Sequence, residues 1–91
     1  GMAFIYDLNN NFEKKVNPET VVWQKVETKY WINYLKNLIE KHYYETNSNL
    51  SKNIIDNFDK EIYNFVQVCP KEMINKLENP ITDKINIKEV S

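Results

Sequence analysis

His42, Cys69 and the acids Asp56, Asp59 and Glu61 are the side chains whose types could do chemistry in this 91-residue chain. His42 is the one histidine, which excludes His-centred triads and multi-histidine metal sites. It falls on the apolar side of a helical pattern and reads as a partly buried histidine satisfied by a hydrogen bond. Cys69 is the one cysteine. A nucleophilic thiol needs a basic partner or a helix N-terminus to favour thiolate, so a buried, inert thiol is the simpler reading. A single sulfur can build neither an internal disulfide nor an iron–sulfur cluster. Acid–base catalysis needs carboxylates whose surroundings push their pKa values apart, whereas acids spaced like Asp56, Asp59 and Glu61 are common on a solvated helix. The only glycine is Gly1, so no glycine loop cradles a phosphate. Tyr43 and Tyr44, with the other aromatics, could stack on bases or sugars. Beside Leu and Ile at helical spacing, the aromatics read instead as core or interface. Neither a catalytic, a cofactor-binding nor a metal-binding residue emerges, and the chain alone does not read as an enzyme. Phe4, Ile5, Tyr6, Trp23, Tyr30, Trp31 and Tyr34 are the candidate interface residues.

The element that must position most of these is a helix over about 26–45. Val26, Tyr30, Trp31, Tyr34, Leu35, Leu38, Ile39 and His42 recur at steps of three and four. Lys25, Lys29, Asn33, Lys36 and Glu40 form a narrow polar strip opposite. The apolar sector spans roughly 200°, twice the ~100° stripe that one contact requires. Such a helix wants neighbours on two sides. Thr46-Asn47-Ser48-Asn49 offers a turn and a fresh cap, and Leu50, Ile54, Ile55 and Phe58 mark a second helix over about 50–59, forming an antiparallel helical hairpin.

Ahead of them, two short runs flank Leu8-Asn9-Asn10-Asn11 and suggest a β-hairpin within 3–16, which needs something to dock on. Asn17-Pro18-Glu19-Thr20 carries helix-start signals, yet Val21-Val22-Trp23 is β-branched and bulky and suits an extended crossing. Residues 65–69 read as extended, 70–77 as a short helix and 81–91 as a loosely ordered tail. The fold class is mainly α: a hairpin or short strands, the helical hairpin, the extended segment and the short helix. It forms one small domain over 1–80, with a strand remnant at 1–16 and a helical part at 17–80.

Net charge is −1 and every basic residue is Lys, so no broad field or guanidinium fork recruits nucleic acid, and no membrane partner is implied. The lone cysteine suits a reducing, cytoplasmic setting. The chain has no apolar run long enough to span a membrane and no visible signal peptide.

Four blocks then occur in order: Ala3-Phe4-Ile5-Tyr6-Asp7; Val16-Asn17-Pro18-Glu19; Leu38-Ile39-Glu40-Lys41-His42; and Phe65-Val66-Gln67-Val68-Cys69-Pro70-Lys71-Glu72-Met73. Together they resemble the C-terminal end of the large subunit of bacterial glutamate synthase, over nearly the whole chain. The resemblance implies that residues 3–16 correspond to the last strands of that family's right-handed parallel β-helix, built on Gly-x-Gly repeats. The remainder would be a helical extension. It also implies a family that makes two glutamates from glutamine and 2-oxoglutarate. That chemistry uses an N-terminal cysteine amidotransferase, FMN and an iron–sulfur cluster, all outside these residues, so no cofactor is expected in this chain. The implied partners are the rest of the large subunit and the small flavin subunit. A symmetric homodimer through the exposed apolar surface is compatible with the sequence. Where the family commonly has Gly, this chain has Asn47, the residue best able to replace Gly at positive φ. Gly1-Met2 is either native or a cloning remnant. The leading expectation is a non-catalytic segment with a structural, subunit-contact role in glutamate biosynthesis. The alternative is a free-standing helical interaction module, self-associating or serving other partners.

Overall fold

A computed structural model describes residues 2–82. Three strands form one antiparallel sheet in the order β1-β3-β2, with β1 at Ala3–Tyr6, β2 at Val21–Lys25 and β3 at Phe65–Pro70. One face of the sheet is covered by α1 (Lys29–Thr46), α2 (Asn49–Asp56) and the single turn α3 (Phe58–Glu61). Helices outweigh strands, as a mainly α class implies, but that class leaves out the central sheet.

The expected hairpin does not form. β1 pairs with β3, Ala3 opposite Val68 and Tyr6 opposite Phe65. The Asp7 carboxylate explains why: it accepts the backbone N–H groups of Asn11 at 3.0 Å and Phe12 at 3.1 Å. Asn10 turns through φ 55°, and Phe12–Lys14 winds into a 3-10 turn instead of returning as a strand. Residues 3–16 thus hold one strand, bonded antiparallel, rather than several strands of a parallel stack. The helix-start signals at Asn17 make only a turn, with Asn17 Oδ1 accepting from Glu19 N. Val21-Val22-Trp23 takes the extended alternative, since β-branched and aromatic side chains pack well on a pleated surface.

α1 begins three residues later than its apolar period suggests. Val26 is buried but precedes the helix, and the Thr28 hydroxyl caps it by accepting from Trp31 N. At the other end Asn47 adopts φ 53°, ψ 32° and donates its N–H to Tyr43 O, the left-handed turn in which Asn stands in for Gly. Ser48 caps α2 through Ser51 N. The second helix breaks at Asn57, whose side-chain amide donates to Asn53 O, so 50–59 divides into α2 and α3. Pro70 ends β3 opposite Val21, and the short helix expected over 70–77 is a 3-10 segment at Lys71–Lys76.

The core joins Trp31 and Leu35 of α1, Ile54 of α2, Phe58, Ile62, Phe65 and Ile81. Ile81 is 1% exposed and Thr82 is buried with it, so these two residues, assigned by the sequence to the tail, are anchored. Gln24 Nε2 donates to Ile81 O at 2.6 Å and Trp31 Nε1 to Asn79 O at 2.9 Å, tying this crossing down. The rest of the expected tail, 83–91, lies outside the described residues, as does Gly1.

Candidate docking site

Side chains alternate across a strand, so Phe4 and Tyr6 of β1 face the helices while Ile5 points to the other side. Phe4 lies 6.2 Å from Trp31 and 6.0 Å from Tyr34 between ring centroids, and Tyr30 stacks on Tyr34 at 6.3 Å. Four of the seven candidate interface residues, Phe4, Tyr30, Trp31 and Tyr34, therefore form one aromatic group. Within it Trp31 is buried, whereas Tyr30 and Tyr34 are exposed. Tyr6 packs on Phe65 at 4.9 Å, and its hydroxyl donates to Glu61 Oε2. Ile5 and Trp23 are on the opposite face of the sheet, where Trp23 meets the Phe12 ring at 6.5 Å. The structure divides the candidates between two faces.

Beside β1 on the helix side lies an open groove of about 420 Å³. Phe65 and Ile54 are buried at its base, Phe4 forms its β1 wall, and Leu38 and Leu50 stand exposed at its rim. Leu38 continues the line of Tyr30 and Tyr34 at steps of four along α1. Met2, Leu50 and Ser51 also line the groove, and none was among the candidate residues. The excess width of the α1 apolar sector signalled that a second neighbour was needed, but not which residues supply it.

The groove is poor in chemical groups. His42 lines it from an exposed position on α1, not the partly buried one its period suggested. Its backbone carbonyl accepts from Thr46 Oγ1. The Glu61 carboxylate is committed to Tyr6 and, through Oε1, to Asn64 Nδ2. The hydrogen bond to Glu61, then burial and the carboxylate's charge, push the Tyr6 phenol up to about 12. Asp56 is paired with Lys52 on the surface at 3.1 Å. Cys69 is 1% exposed, and burial pushes its thiol up, which disfavours thiolate. Gln67 is fully buried in the central strand, with Nε2 against Met2 Sδ at 3.2 Å and Oε1 unpartnered among the described residues.

Among the described residues no three of His, Cys, Asp and Glu come together as a metal-binding group. The FMN and iron–sulfur cluster implied for the family do not fit the residues present: the lone thiol is sealed in β3, and no glycine loop exists to approach a phosphate. None of the described helices is long and apolar enough to cross a membrane. The arrangement offers an apolar contact surface.

A family model described as the GXGXG motif matches residues 1–71. The chain is 41% identical over 80 residues to the large chain of NADPH glutamate synthase from Azospirillum brasilense, covering 88% of this chain and 5% of that protein. It is 31% identical over 90 residues to the NADH glutamate synthase of Schizosaccharomyces pombe, covering 99% of this chain and 4% of the relative. The large chain of the Bacillus subtilis NADPH enzyme is 30% identical over 60 residues, covering 66% of this chain and 4% of that one. The chain thus spans about one-twentieth of the length of the curated relatives it matches.

Proposed function

This chain belongs to the GXGXG motif family, and on that premise we propose that it serves as a non-catalytic C-terminal segment of a glutamate synthase large subunit, contributing packing and subunit contacts. The observation that carries the reading is sustained similarity over nearly the whole chain to a small part of much longer glutamate synthases. The site's chemistry supports it. A sealed thiol, a surface histidine and carboxylates already engaged by neighbouring donors suit a packing role better than turnover.

The rest of the large subunit is the proposed partner, and glutamate formation is the activity the assembled protein would carry. The test is to co-express this chain with a glutamate synthase large chain lacking the matching segment and to assay glutamine-dependent glutamate formation. Restored activity is expected. Full activity of the shortened chain by itself, or no recovery on adding this one, would overturn the reading.

A further inference from the structure

Resting on that reading, we propose that β1 accepts a further strand along its open edge. The strand comes from the rest of the glutamate synthase large chain, and its alternate apolar side chains enter the groove. Among the described residues β1 is bonded on one side only, to β3. Its sequence, Ala3-Phe4-Ile5-Tyr6, carries no charge and no proline, and its register with β3 runs unbroken. Sheet edges are normally protected by shortness, Lys, Pro or a bulge; this one is four residues long and has none of the other three.

The two edges of the sheet differ. At β2 the edge strand ends in Lys25, and Ile81 lies on the helix side, fastened through Gln24. At β1 the groove opens between Phe4 and Tyr6 on the strand and Leu38 and Leu50 on the helices. A strand added there would run about 4.8 Å from β1 and turn every second side chain toward α1 and α2. A helix needs ~8–10 Å between axes and cannot use the backbone edge. The groove, open to solvent and about 420 Å³ in volume, has room for a few aliphatic side chains. Its lining has no Lys, Asp or Glu, so the entering side chains are apolar. Backbone pairing gives affinity in such strand addition, and the pockets for alternate side chains give selectivity.

A second copy suits the site less well. Antiparallel β1-to-β1 pairing about a two-fold axis would bring both copies' α1 and α2 to the same side of the joined sheet, where each pair of helices competes for the space over the other's groove. The relatives, by contrast, carry some twenty times this length of chain from which a strand can come.

The test is amide hydrogen exchange of the full chain, alone and mixed with a glutamate synthase large chain lacking the matching segment. Expected is fast exchange at the outward amides of β1 in the free chain, slowed about tenfold or more in the complex. Leu38→Glu and Leu50→Glu should weaken binding about tenfold or more, because a charge would be buried without a partner. Tyr63→Glu, at a side chain 71% exposed, should leave binding unchanged. Binding without protection of β1 would overturn strand addition and leave the segment reading standing. Absence of binding would overturn both. Protection of β1 already present in the free chain, whether from a second copy detected by light scattering or from the chain itself, would also overturn the proposal.

Discussion

Replacing Ile81 by alanine tests whether the crossing at 79–82 belongs to the core. Ile81 is 1% exposed and sits in the same cluster as Trp31, Leu35 and Phe65. Truncating a buried aliphatic residue to alanine costs about 2–5 kcal/mol, the transfer loss plus the cavity left behind. The backbone carbonyl that receives Gln24 Nε2 remains in the variant, so the change reports side-chain burial alone. A chain of 91 residues at ~0.05–0.15 kcal/mol per residue has about 5–14 kcal/mol of total stability, so a loss near 3 kcal/mol is a large fraction. In urea, with a slope of ~1–3 kcal/mol/M, the midpoint should fall by about 1–3 M. The melting temperature should fall by about 12–24 °C, at ~4–8 °C per kcal/mol for a domain of this size. Leu8→Ala, at a side chain 59% exposed, is the control and should change stability by no more than ~0.5 kcal/mol. If Ile81→Ala behaves like the control, the anchoring of 79–82 is wrong and the segment is the loose tail that its sequence suggests.

Tyr6 should make stability fall on alkaline titration. Its pKa is raised from 10.0 to about 12 in the folded chain, so its contribution is complete below pH 10 and disappears as the pH rises toward 12. Melting curves of Tyr6→Phe should lack that part of the slope; equal slopes would refute the Tyr6–Glu61 pairing. Cys69 should react with a disulfide reagent at least ~100-fold more slowly in the native chain than in urea, because reaction requires opening of β3. Comparable rates would show that the thiol is accessible. Asn47→Gly should be neutral to within ~0.5 kcal/mol, whereas Asn47→Ala should cost about 1–2 kcal/mol at φ 53°. Equal melting temperatures for the two variants would refute the left-handed turn.

How much of this was legible depends on how local each signal is. α1 could be read because its period repeats over five turns, and the Asn47 turn because one residue type suits its backbone. Val26 shares the helical period yet lies in the link between β2 and α1; the cap at Thr28 decides the boundary, and periodicity does not register it. The partner of β1 was not legible, because β3 is some sixty residues away and the local Asn-rich turn points to a hairpin. Asp7 diverts that turn through two backbone hydrogen bonds, a choice no pattern of hydrophobicity records. Ile81 is a single apolar residue with no period around it. At the site, Tyr30 and Tyr34 followed from the wide apolar sector. Ile5 and Trp23 fell on the other face because strand alternation, not helical spacing, sets their direction. Met2 and Leu50 come from distant elements and meet only in the folded chain.

The most direct measurement is the mass of the species formed when this chain is mixed with a glutamate synthase large chain lacking the matching segment, by size exclusion with light scattering. The account predicts a one-to-one complex in which this chain is retained through purification. Separate elution of the two at micromolar concentration, with this chain a self-contained monomer or dimer indifferent to the other, would contradict it.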